Sequence, residues 1–255
     1  MAKVPVALQL YTVRDQTAKD YAGTVAQVAK IGYRAVELAR PLPEAEMKAL
    51  LTKLGLQVAS GHEGLDRLEK DLDGLISFYL DLGSKYLTLP ALPTALREGS
   101  DFDGLFQRLN RIGKVCYERG LQFCYHNHDF EFKVKVGYQT LFDALFAATD
   151  LKHVQAQIDV YWVYFAGLDP AALIRKYAGR CPLIHLKDMP KDFAPGTRPA
   201  RFAEVGEGKL DMAAIFAASE ASGAKWYIVE QDFCERPSLE STKLSFDNLR
   251  KFGKV

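Results

Sequence analysis

Arg119-Gly120-Leu121-Gln122-Phe123-Cys124-Tyr125-His126-Asn127-His128-Asp129-Phe130-Glu131-Phe132 holds, in one run, a helix stop, a strand and a polar cluster. Glycine just past a helix takes the left-handed conformation that costs other residues steric energy, so Gly120 marks where a helix ends. Gln122 to His126 then reads as a strand, rich in aromatic and apolar residues. Directly behind it come an amide, a second imidazole and two carboxylates, a grouping suited to a metal or a substrate.

The same order of helix, glycine and β-prone run recurs along the chain. Ile31-Gly32 precedes Ala35-Val36-Glu37, Leu54-Gly55 precedes Gln57-Val58-Ala59, Leu82-Gly83 precedes Tyr86 to Leu89, and Ser222-Gly223 precedes Trp226 to Val229. The strands expected in full are Val6 to Tyr11, Ala35 to Leu38, Gln57 to Gly61, Tyr86 to Leu89, Gln122 to His126, Val154 to Asp159, Pro182 to Leu186 and Trp226 to Glu230. Between them the apolar residues keep helical spacing, as in Leu105, Leu109, Ile112 and Val115, and an amphipathic segment from Leu239 to Leu249 follows the last strand. Strands alternating with helices in this way pair in parallel through right-handed crossovers. Eight such units predict a single (β/α)8 barrel domain over residues 1–255.

An open doubly wound sheet would carry a Gly-rich turn after its first strand. Thr12-Val13-Arg14-Asp15-Gln16 stands there instead. The other glycine cluster, Val205-Gly206-Glu207-Gly208-Lys209, precedes a helix and lacks phosphate-loop spacing.

At 255 residues, 48% hydrophobic and 25% charged, with a formal net charge of +1, the composition is that of a soluble globular protein. It lacks the positive excess that nucleic-acid binding needs, and no apolar run reaches the length of a membrane span. The four cysteines have no paired spacing and read as reduced thiols; together with the absence of a signal-type leader they predict a cytoplasmic protein.

Barrel enzymes place their chemistry at the C-terminal ends of the strands. Glu37, His62, the Asn127–Glu131 cluster, Asp159, His185 and Glu230 all fall there. Carboxylates buried in apolar strands cost several kcal/mol unless paired, hydrogen-bonded or metal-bound, so a cation accounts for them economically. His126 reads as a hydrogen-bonded histidine of the barrel wall, and Glu37 as a partner for a basic neighbour. The long connection from Met189 to Lys209, with Arg198 and Arg201, reads as a loop covering substrate.

These segments, from Val6-Ala7-Leu8-Gln9-Leu10-Tyr11 through His126-Asn127-His128-Asp129-Phe130-Glu131-Phe132 to Ile184-His185-Leu186-Lys187-Asp188 and Val205-Gly206-Glu207-Gly208, resemble the xylose isomerase-like TIM-barrel superfamily of sugar phosphate isomerases and epimerases. The resemblance implies one divalent ion, Mn²⁺ first, with Mg²⁺, Co²⁺ or Zn²⁺ as alternatives. It implies Glu131, Asp159, His185 and Glu230 as its ligands. It also implies Glu131 and Glu230 as the catalytic pair, moving protons on opposite faces of a metal-stabilised enediolate. The expected activity is isomerisation or epimerisation of a sugar, sugar phosphate, keto-sugar or inosose. Dehydration on the same site is the alternative, and a non-catalytic sugar-binding barrel is the rival from another class.

His62, His128, Trp162 and Lys187 are the expected substrate contacts. Two positions depart from the ketohexose epimerases, which resemble one another in a His where this chain has Trp162 and an Arg where it has Lys191; both point away from free ketohexoses as substrate. An endonuclease-IV-like site would need a richer ligand set than five histidines and a basic groove. The expected partner is a small carbohydrate, without nucleic acid or membrane, and related barrels imply a homodimer or homotetramer.

Overall fold

The computed structural model describes residues 3–39, 41–98 and 101–255. Its barrel strands are β1 (Val6–Gln9), β2 (Ala35–Leu38), β3 (Gln57–Gly61), β4 (Tyr86–Leu89), β5 (Gln122–His126), β6 (Val154–Asp159), β7 (Leu183–Leu186) and β8 (Trp226–Val229). All are parallel, hydrogen-bonded in the order β3-β2-β1-β8-β7-β6-β5-β4. The remaining seam, between β3 and β4, is stitched by a bridge from His62 to Thr88 and by the hydroxyls of Ser60 and Thr88, 2.9 Å apart. The result is a nearly closed (β/α)8 barrel, as the alternation of elements predicts.

Helices follow the strands, among them Tyr21–Ile31, Phe102–Glu118, Met212–Ala221 and Ser238–Lys251. Several begin on an aspartate whose carboxylate accepts a free backbone N–H of the first turn: Asp20 from Gly23, Asp101 from Gly104 and Asp211 from Ala214. The helix-stop glycine Gly120 stands at φ 87°, the conformation its position requires.

Strand ends differ from the expected ones in three places. β1 stops at Gln9 because the Gln9 side-chain oxygen accepts from the Tyr11 amide at 3.0 Å and starts a 3-10 turn over Leu10–Val13. β7 begins at Leu183, after Pro182, which has no N–H to donate. β8 ends at Val229, leaving Glu230 just above it.

Two layers inside the barrel position the site. The lower layer is small and apolar, with Ala7, Ala35, Ala59, Cys124, Leu183 and Ile228 packed together. Because successive strand residues face opposite sides, the residue two positions on returns to the interior. Those residues are Gln9, Glu37, Gly61, His126, His185 and Glu230. A dry floor under a polar layer follows from the strand period alone. Outside the strands, a second and larger core packs the helices against the barrel wall.

Candidate active site

Glu37 is the hub of the polar layer. Its Oε1 accepts from Gln157 Nε2 at 2.6 Å, and its Oε2 accepts from Gln9 Nε2 and from His185 Nε2, each at 2.6 Å. His62 Nε2 lies 3.1 Å from the same Oε2 and 2.7 Å from Gln157 Oε1. Burial works against the Glu37 charge, but the imidazoles of His62 and His185 outweigh it and hold the carboxyl well below the usual carboxylate range. Glu37 is thus an ionised group inside a barrel of donors, far more than a partner for one basic residue.

This hub orients two imidazoles. His185 gives its Nε2 to Glu37, so its Nδ1 faces Glu230 Oε2 at 3.1 Å and Asp159 Oδ2 at 4.0 Å. His126 gives its Nδ1 to Gln157 Oε1 at 2.8 Å, leaving Nε2 directed to Asp159 Oδ2 at 3.6 Å. Burial and the neighbouring His185 and His128 rings push His126 well below its ordinary pKa, so it is neutral with a free lone pair. His185, though burial opposes its charge, is pushed up to about 10 by Glu37 and Glu230. Its Nδ1 proton is the one a cation would replace.

His126, Asp159, His185 and Glu230 therefore offer two nitrogens and two oxygens that lie within 4.8 Å of one another. Asp159 Oδ2 is fully buried and has no hydrogen bond, although the Lys187 ammonium stands 3.1 Å away, out of line for one. An orphaned buried oxygen amid imidazole and carboxylate ligands fits a hard or borderline divalent ion. A second grouping, His62, His126 and His185, is already occupied with Glu37 and Gln157.

The structure brings together Asp159, His185 and Glu230 of the four expected ligands, and puts His126 at the fourth corner. Glu131 stands apart. It lies in a short helical turn, Phe130–Lys133, and its oxygens accept from Tyr125 Oη at 2.7 Å and from the His128 amide at 2.8 Å. Burial raises its carboxyl to about 8 against these hydrogen bonds, so it is held as a neutral acid. His126 is both things at once, bonded within the wall through one nitrogen and open to the cluster through the other. Period-two counting from Cys124 would have found it.

A cavity of about 390 Å³ opens above, lined by His62, His126, His128, Lys187, Glu230 and Asp232 among others. Of the expected substrate contacts, His62, His128 and Lys187 reach it. Trp162 is buried behind His128, ring centroids 5.3 Å apart, with an unpartnered Nε1. Asp232, which sequence reading passed over, binds Lys187 Nζ at 2.6 Å. A larger hollow, about 520 Å³, lies at the opposite end among Lys85, Tyr86, Gln122, Cys181 and Lys225, and neither imidazole nor carboxylate lines it.

The loop after β7 is pinned at both ends. Asp188, fully buried, accepts from the amides of Met189 and Leu210 through Oδ1 and from those of Gly206 and Gly208 through Oδ2. Farther along, Arg198 pairs with Asp129 at 2.7 Å and lies 5.5 Å from the centre of the Trp162 ring.

A family model described as xylose isomerase-like TIM barrel matches residues 25–252. The chain belongs to that family. Among curated relatives, an inosose dehydratase of Geobacillus kaustophilus is 28% identical over 245 residues, covering 82% of this chain and 79% of that protein. A sugar phosphate isomerase/epimerase structure from Parabacteroides distasonis superposes with a TM-score of 0.81 at 24% identity, over 98% of both chains. An L-ribulose 3-epimerase structure does so with a TM-score of 0.73 at 15% identity, over 100% of this chain and 95% of that one. At these identities the solved structures speak for the barrel alone. In this xylose isomerase-like barrel no described helix is long and apolar enough to cross a membrane.

Proposed function

We propose that the protein is a divalent-metal-dependent dehydratase of a small keto-sugar or keto-cyclitol. The observation that carries this is the cluster of His126, Asp159, His185 and Glu230, with both histidine nitrogens turned to it by Gln157 and Glu37. Manganese suits the mixed nitrogen and oxygen set, as do cobalt and zinc. A bound divalent ion would supply a Lewis acid that draws electron density from a substrate carbonyl.

The residues themselves suggest the proton path. Despite burial, the Lys187 ammonium and the His185 ring hold Glu230 well below the usual carboxylate range, so it stands ready as a base. It takes the proton from the carbon beside the carbonyl, the electrons form a carbon–carbon double bond, and the β-hydroxyl leaves as water with the proton that Glu230 gained, which restores the carboxylate. Lys187 donates a hydrogen bond to the departing oxygen. Burial, reinforced by Lys187, lowers His128 to about 3, so its ring lines the cavity as a neutral group. Glu131 acts behind it, holding the His128 backbone, rather than as a second base.

Elimination is favoured because the curated relatives carry the name inosose dehydratase. Isomerisation or epimerisation is the second reading, since it shares the same first proton transfer and differs only in where a proton returns. The test is incubation with Mn²⁺ in D2O and a panel of inososes and 3-keto-sugars, wild type beside Glu230→Gln, followed by mass spectrometry. Loss of one water that needs both metal and Glu230 supports dehydration, and deuterium gain without water loss supports the second reading. Absence of both, in a protein with Mn²⁺ bound, would leave a sugar-binding barrel.

A further inference from the structure

We propose that Asp232 is a positioning residue that draws the Lys187 ammonium off the metal ligands so that ion and ammonium can share one site. This rests on the metal-dependent reading above. The Lys187 side chain is 1% exposed and touches three carboxylates: Asp159 Oδ2 at 3.1 Å, Glu230 Oε2 at 2.7 Å and Asp232 Oδ1 at 2.6 Å. The first two are members of the candidate ligand cluster, and Asp232 is outside it. An ammonium and a divalent ion cannot both sit in contact with the same two oxygens, because like charges at such a separation repel strongly in a buried site.

Directionality separates the three contacts. Only the one to Asp232 has hydrogen-bond geometry; those to Asp159 and Glu230 are ion pairs by distance alone. The ammonium is therefore aimed at Asp232 and merely adjacent to the ligands. Asp232 in turn is fixed from the other side of the mouth. Its carbonyl accepts from Arg14 Nη2 at 2.7 Å, and the amide of the preceding Gln231 donates to Thr12 Oγ1 at 3.2 Å. The end of β1 thereby sets where the anchor stands.

Without the anchor, Lys187 has only Asp159 and Glu230 to neutralise it, and it competes with the ion for both. The consequence is a metal affinity that depends on Asp232 only while Lys187 is present. The test is calorimetric titration of Mn²⁺ into four proteins: wild type, Asp232→Asn, Lys187→Met and the double variant, each checked by circular dichroism. Asp232→Asn is expected to weaken Mn²⁺ binding by about tenfold or more in the wild type. In the Lys187→Met background the same change is expected to alter binding by less than about threefold.

Equal losses in both backgrounds would overturn the proposal, since Asp232 would then act on the ion by its own charge. So would unchanged binding in Asp232→Asn. If Lys187→Met does not fold, Lys187→Gln keeps a polar group in the carboxylate cage and serves for the same comparison. A wild type that binds no divalent ion overturns the metal-dependent reading and this inference together, whereas a binding wild type with an indifferent Asp232 overturns this inference alone.

Discussion

His185 Nε2 and Glu37 Oε2 lie 2.6 Å apart, and this contact decides which nitrogen of the ring faces Asp159 and Glu230. An imidazole whose far nitrogen is held by a carboxylate presents the other as a stronger, oriented ligand. Glu37→Gln removes the charge and lets the ring turn. It is expected to weaken divalent-metal binding about 10- to 100-fold with the barrel intact. Calorimetry beside a thermal melt checks this, and unaltered affinity would make Glu37 a structural residue only.

Asp159 and Glu131 separate the two ways of placing the ion. Asp159→Asn is expected to abolish Mn²⁺ binding, because the orphaned Oδ2 is one of the four ligand atoms. Glu131→Gln is expected to leave binding within about threefold, since that carboxyl is committed to Tyr125 and the His128 amide. The reverse order in a titration would restore Glu131 to the ligand set and move His126 out of it.

Glu131 also gives stability a pH dependence. Burial raises its folded-state pKa from 4.5 to about 8. The folded chain thus holds a proton that the unfolded chain gives up near 4.5. This contribution is full below pH 4.5 and is lost as pH rises through about 8. Glu131→Gln cannot ionise, so its melting temperature is expected to fall less than the wild type's as pH rises from 4.5 to about 8. Parallel pH profiles of the two proteins would remove Glu131 as the cause.

Gly208 is expected to tolerate no side chain. A Cβ there would stand 2.1 Å from Asp188 Oδ1 and 2.3 Å from the Met189 carbonyl. Gly208→Ala forces the carboxylate out of its four amides, a change on the order of 2–4 kcal/mol for a buried hydrogen-bonded charge. Limited proteolysis is expected to find new cuts between Met189 and Lys209, and a resistant variant would refute the clasp.

The barrel was legible because five of the eight strands are apolar runs behind a helix-stopping glycine, which is a local signal. Asp159, His185 and Glu230 were legible because each ends such a run with a ligand-type side chain. Glu37, Gln9 and Gln157 were not, since their work depends on register: Gln9 lies beside Glu37 and His126 beside Gln157 only once the strands pair. Glu131 is hard to read for the opposite reason. The chain leaves the strand period at Asn127 and enters a helical turn, so sequence spacing does not say which way its carboxylate turns, and only its hydrogen bonds to Tyr125 and the His128 amide do. Asp232 sits past the last strand in a segment with no periodicity, where only contact with Lys187 reveals it.

Asp188 lies one residue after Lys187 and three after His185, so a single strand end supplies a cluster residue, the ammonium and the clasp of the following loop. The two ends of that loop are tied to one carboxylate, and inside it Phe193, Phe202, Ala203 and Val205 are buried, with the Ala203 amide donating to the Asp188 carbonyl at 2.9 Å. Residues 194–199, exposed between those ties, therefore form an exchangeable cassette. Their length and composition can drift to suit a new substrate while the reacting groups keep their places, so long as Asp188 and its amides are kept.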